Sequence, residues 1–288
     1  MRRYFPPGSE WLYYKIYCGY ETADKLLAEV IGKLSWQLMN NGLIDNWFFI
    51  RYADPNPHIR LRFHFDDISN IGDCIVFVEN TLRPFLETGQ VNRIMTDTYK
   101  REIERYGETT IELCEKLFFH NSKMITDMLS LIENLPEKES YRWLFALKAI
   151  DAMLSDFGYS LNERHDLSKR IADAFGQEFR INESTIQQFS NKYRATKDMI
   201  FKFMHDEDEQ AKELYELINS NSENTKSSVQ QLTDSCLEYN SLEDIIRSFI
   251  HMTMNRIFIA QQRKHEVVLY GFQERYYRSE VAKKKYCK

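Results

Sequence analysis

Residues 47–65 read WFFIRYADPNPHIRLRFHF, and how this stretch divides decides the fold. WFFIRY (47–52) and HIRLRFHF (58–65) are rich in aromatic and β-branched residues, while ADPNP (53–57) carries turn residues. Two strand-like runs around an Asp-Pro-Asn-Pro connection predict a hairpin. Side chains alternate along a strand, so Ile59, Leu61, Phe63 and Phe65 take one face of the second run. His58, Arg60, Arg62 and His64 take the other.

Working outward, WLYYKIYCG (11–19) reads as a strand ending at Gly19. Residues 22–41 place Leu26, Leu27, Val30, Ile31, Leu34 and Leu38 at helical spacing. Residues 71–86 form a second helical pattern, and 91–100 a last extended run. The order β-α-β-β-α-β is the split βαβ arrangement of ferredoxin-like domains. Beyond about residue 107 helical patterns take over, near 109–133, 138–157, 163–175, 183–204, 207–220, 226–238 and 241–261. The expected class is α+β. A ferredoxin-like sheet region over 1–106 is followed by a mostly helical region over 107–288, packed against it as one compact unit with the site between. The polar stretch NSNSENTKSS (219–228) reads as a long exposed connection, and the basic end AKKKYCK (282–288) as a solvated or frayed tail.

At 288 residues, 43% of them hydrophobic, the chain can fill a sizeable core, and 10 Gly with 6 Pro argue against a low-complexity chain. A formal net charge of -5 gives no reason to expect nucleic acid. Cys18, Cys74, Cys114, Cys236 and Cys287 are odd in number, widely spaced and never in a CxxC pair. That speaks against a disulfide framework or a zinc site and for a reducing cytosol. MRRYFPPGSEW (1–11) has no signal-peptide core, and no run approaches the ~20 apolar residues of a membrane span, so a cytoplasmic protein off the membrane is expected. HExxH, GxGxxG after a strand, the P-loop and GxSxG are all missing. Neither metal nor cofactor is expected.

Three segments carry candidate chemistry. Arg60 and Arg62, two residues apart on the basic strand face, form paired forks suited to a carboxylate or phosphate. Arg51 on the partner strand is a possible third. A solvated outer face fits the same pattern. In DTYKREIERYG (97–107), Glu102 and Arg105 share a face only if the chain curls into a helical turn. Such a pair is either a surface ion pair or a substrate clamp. In SLEDIIRSFIHMTMNRIF (241–258), Ser241 is a candidate cap, and Glu243 and Asp244 favour a helix start. Arg247, His251 and Asn255 form a stripe at the edge of the apolar face, while Arg256 projects into that face. A buried guanidinium needs a partner, here an acid, a set of carbonyls or an anionic ligand.

Taken in order, WLYYKIYCG, WFFIRYADPNPHIRLRF, YKREIERYG (99–107) and SFIHMTMNR (248–256) resemble the C-terminal domain of lantibiotic dehydratases, also found alone as thiopeptide-type bacteriocin biosynthesis proteins. The resemblance runs from about Trp11 to about Phe258. It implies a division of labour in which another domain esterifies Ser or Thr of a precursor peptide with glutamate from glutamyl-tRNA. The C-terminal domain then eliminates that glutamate. Carried onto this sequence, the family's motifs imply catalytic roles for Arg62, Arg105, Glu102 and His251. Arg51, Arg60, Arg101, Asn255 and Arg256 are the expected substrate-binding residues. His251 would be the acid/base, and the arginines would grip glutamate and the enolate. The expected partners are a precursor peptide and a separate glutamylation subunit, with a homodimer allowed. Two alternatives accompany this reading: a pyridine-forming thiopeptide cyclase, and a non-catalytic peptide- or partner-binding subunit. Glu108 stands where the family often has a second Gly, which touches none of these roles.

Overall fold

The computed structural model describes residues 1–236 and 239–286, the side chains of 239–241 and 286 excepted. A short strand, Tyr4–Phe5 (β1), precedes the ferredoxin-like segment. Then follow Trp11–Cys18 (β2), a helix over 20–40, Asn46–Ala53 (β3), Pro57–His64 (β4), Ile71–Glu87 (α3) and Val91–Asp97 (β5). The helix is built from Tyr20–Leu26 (α1), a π-helical turn Leu27–Ile31 and Gly32–Asn40 (α2). The sheet order is β3-β4-β2-β5, every neighbour antiparallel. That is the ferredoxin-like arrangement expected from the sequence. Tyr99–Lys100 (β6) returns to pair with β1.

Alternation on β4 holds as read: Ile59, Leu61, Phe63 and Phe65 are all buried. The opposite face is not a solvated one. His58 and Arg62 are buried as well, and Arg60 and His64 are half-buried. Charged groups out of water must be held by something, and what holds them defines the site.

The chain divides into two compact units, Met1–Leu135 with Asn224–Ala260, and Pro136–Glu223 with Gln261–Lys288. The division does not fall at residue 106. Helix Ile111–Ile132 (α5) lies along β3 and the π-helical turn, and helix Tyr239–Ile257 (α10) also reaches β3. The cap expected of Ser241 falls on a side chain outside the described residues.

The second unit is helical: Lys138–Asp156 (α6), Leu161–Glu178 (α7), Glu183–Met204 (α8), the first half of Lys212–Ser235 (α9), and Gln262–Tyr286 (α11). The loop expected over 219–228 is the middle of α9. Polarity misleads there. The stretch has no Gly or Pro, and Leu214, Ile218, Thr225, Val229 and Leu232 stay buried at helical spacing through it. The end expected to fray is likewise helical as far as Tyr286, Cys287 and Lys288 lying outside the described residues. Val267, Tyr270, Tyr276 and Tyr277 anchor α11, which packs along α7, and the Tyr277 hydroxyl donates to Asp151 at 2.8 Å. No helix among the described residues is long and apolar enough to cross a membrane. Cys18, Cys74, Cys114 and Cys236 are free thiols.

Candidate active site

Residues Ile103–Tyr106 form a helical turn (α4), the condition under which Glu102 and Arg105 come together. Arg105 Nε lies 3.3 Å from Glu102 Oε2, with both side chains well exposed. Gly107 closes the turn at φ 79°, a conformation that L side chains resist. A Cβ there would come within 2.5 Å of Thr110 Oγ1, whose hydroxyl donates to the Tyr106 carbonyl. Gly107→Ala should therefore cost about 1–3 kcal/mol of stability, read as a lower urea midpoint.

Beside this turn lies a shallow cleft of about 400 Å³ counting its open mouth. Phe48, Arg62, Tyr99, Glu102, Tyr106 and Arg256 are among its lining residues. Arg62 is its distinctive group. Cross-strand register places Tyr13 and Phe48 directly opposite it on the two neighbouring strands. Its guanidinium carbon stands 4.5 Å from the Tyr13 ring centre, 4.8 Å from Tyr99 and 5.0 Å from Phe48. These rings are its nearest π faces, and among the described residues no acceptor bonds to it, its Nε being buried unpaired. Burial lowers the Arg62 pKa, and nearby Arg60 pushes the same way, while Tyr13, Tyr99 and Glu102 oppose them. Aromatic faces recover only part of the lost hydration.

Other expected site residues belong to the scaffold. β3 is an edge strand, and its outward backbone groups are met by side chains rather than by a fifth strand. Ser122 accepts from Phe49 N at 3.2 Å, and Arg256 Nε donates to Phe49 O at 2.8 Å. Asn255 closes both bonds of Arg51, accepting from its N and donating to its O at 2.9 Å each. Of the three partners open to Arg256, the structure selects carbonyls: Phe49 O and the Asn121 side chain at 3.0 Å. Burial lowers the pKa of this guanidinium to about 9. Arg51 does not join Arg60 and Arg62. Its register partner is Ile59, so it points to the opposite sheet face, where it meets Asp24 at 2.5 Å. Arg101 is also committed, with Nε and Nη2 on Glu115 at 2.8 and 2.7 Å. Arg60 stacks on Tyr52 at 3.4 Å, two residues from Arg62 and outside the cleft lining.

A family model described as lantibiotic biosynthesis dehydratase C-term matches residues 11–277. The chain belongs to that family. It is 35% identical over 138 residues to nisin biosynthesis protein NisB of Lactococcus lactis subsp. lactis, a match covering 46% of this chain and 13% of NisB. The tRNA-dependent lantibiotic dehydratase MibB from Microbispora sp. 107891 superposes at TM-score 0.72 and 18% identity, over 96% of this chain and 29% of MibB. Pyridine synthase TbtD from thiomuracin biosynthesis superposes at 0.66 and 12% identity, over 95% of this chain and 99% of TbtD. At those identities the two structures share the fold with this chain.

In this lantibiotic dehydratase C-terminal domain, His251 sits on α10 directly before Met252, which lines the cleft, and one turn before Asn255. Its half-buried imidazole is not itself a lining group. The cleft residues that sequence reading missed include Phe48, Tyr99 and Tyr106. The two tyrosines flank the charged run KREIER (100–105), and Phe48 is one of the aromatics of WFFIRY (47–52). A wider groove of about 1140 Å³, likewise counting its open mouth, lies among α2, β3 and α5, lined by Trp36, Trp47, Phe119 and the Lys123–Asp127 pair. It contains none of the expected catalytic residues, so the chemistry favours the smaller cleft. Asp45, His64 and Asp66 cluster within 4.8 Å, but His64 Nδ1 already bonds both Asp45 oxygens at 2.8 and 2.9 Å.

Proposed function

We propose that this domain eliminates glutamate from glutamylated Ser or Thr residues of a ribosomally made precursor peptide, leaving dehydroalanine or dehydrobutyrine. Arg62 carries the reading: a buried guanidinium with rings around it and no acceptor among the described residues, lining a cleft. An unpaired charge kept out of water is costly, and a carboxylate ligand is the group that would offset the cost. Glutamate leaving as a carboxylate supplies one.

The peptide Cα–H is a very weak acid, so the enolate formed on its removal needs aimed positive charge or donors. In the proposed mechanism His251 takes the Cα proton, whose bonding pair becomes the Cα=Cβ bond. The Cβ–O bond breaks, and glutamate departs with the Cβ–O bonding pair as a carboxylate, held by Arg62. The exposed Arg105, oriented by Glu102 at 3.3 Å, reaches the second carboxylate of glutamate. A separate glutamyl-tRNA-dependent subunit makes the ester in the cytoplasm, and the precursor peptide passes between them. A ring-forming enzyme has no glutamate to hold, which favours the lyase over the cyclase alternative.

The test is a precursor peptide bearing glutamyl esters, followed by mass. Wild-type protein should release glutamate and leave alkenes, while His251→Ala should leave the ester in place with the fold intact. An ester untouched by the wild-type protein sinks the lyase. Turnover of a peptide holding two dehydroalanines would instead support the cyclase.

A further inference from the structure

We propose that the Tyr106 hydroxyl is a further catalytic group, donating a hydrogen bond to the enolate oxygen that forms during elimination. The inference rests on the elimination reading above and assigns the donor that this reading leaves open.

Tyr106 closes α4 and is 3% exposed. Its ring is fixed between Phe118, at 5.0 Å, and Phe249, at 5.8 Å. Its carbonyl is fixed by the Thr110 hydroxyl. Only the phenolic oxygen remains uncommitted. It makes no hydrogen bond among the described residues, it is not sealed from solvent, and its residue lines the cleft. Tyr99 lines the same cleft, but its hydroxyl already donates to Glu115 at 2.8 Å. Of the two cleft tyrosines, Tyr106 is thus the one with a proton to offer.

The reaction creates two separate centres of negative charge. The departing carboxylate suits a planar cationic fork. The oxygen of the peptide carbonyl whose Cα loses its proton suits a neutral donor already in place, because nothing must reorganise as charge grows. Burial first, and Glu102 next, raise the Tyr106 pKa against the pull of Arg105 and Arg256, so the phenol stays protonated at neutral pH. No proton is transferred from it. The Cα proton goes to the base, the carbonyl oxygen gains charge transiently, and expulsion of glutamate returns that charge to the leaving group.

Tyr106→Phe removes one oxygen and keeps the ring between Phe118 and Phe249. With the glutamylated precursor at saturation, kcat should fall by about 10²-fold while KM and the urea midpoint stay near wild type. Fluorotyrosine replacement at 106 adds a readout that packing would not move: kcat should change systematically with phenol acidity. An unchanged kcat in Tyr106→Phe, with the wild-type protein active, overturns the role of Tyr106 alone. A kcat indifferent to phenol acidity across the fluorotyrosine series overturns it too. A wild-type protein that leaves the ester intact overturns this inference together with the elimination reading.

Discussion

Arg62→Met should lower the rate of glutamate release by about 10²–10³-fold without lowering the stability of the fold. The two halves of this expectation come from one observation. Arg62 lies among the rings of Tyr13, Tyr99 and Phe48 with no protein acceptor among the described residues. Three cation–π contacts of roughly 0.5–1 kcal/mol each recover about 1.5–3 kcal/mol. Keeping a guanidinium out of water costs several kcal/mol, so the balance is near zero or unfavourable. An unbranched apolar side chain between the same rings removes the penalty and retains packing. Stability held or gained while turnover collapses is the signature of a group kept for its ligand. Urea denaturation beside the elimination assay reads both halves. A large loss of stability would show that Arg62 is structural.

Arg256→Met should do the reverse to the fold and cost about 3–5 kcal/mol. Both arginines are buried, and both lie at the cleft. Arg256 differs in having partners: Phe49 O at 2.8 Å and Asn121 Oδ1 at 3.0 Å. Hydrogen bonds from a charged donor are worth about 1.5–3 kcal/mol each, and their loss leaves a carbonyl and an amide oxygen buried without a donor. The carbonyl belongs to the edge strand, so the break also loosens the seam between β3 and α10. Against a total stability of roughly 5–15 kcal/mol such a loss is severe. A urea midpoint near wild type would mean that the seam does not depend on Arg256.

How far the sequence reached is clearest at these arginines. Alternation along HIRLRFHF separated the apolar from the basic face of β4, because a period of two leaves little freedom once the strand is recognised. Arg51 was assigned to the wrong group for want of register: its pairing with Ile59 depends on the hairpin loop, and one residue of slip moves a side chain to the other face. Demand for a partner at Arg256 could be read from its place in an apolar arc. The partner itself could not, since Phe49 and Asn121 stand far off in sequence and meet it only in the fold. The Glu102–Arg105 pair was conditional on a local turn, and the turn forms. The helix through 219–228 was hidden because its buried positions include Thr225, and polar composition masked the spacing. The aromatic surround of Arg62 needed strand order as well as strand identity, because Tyr13 and Phe48 come from strands on either side of it.

The central claim is that the cleft around Arg62 receives a glutamate leaving group, and single-turnover release of glutamate from an esterified precursor measures it directly. Wild-type protein should convert ester to alkene, and Arg62→Met, folded and as stable, should hold the ester at least about 10²-fold longer. Equal release rates for the two proteins would contradict the claim.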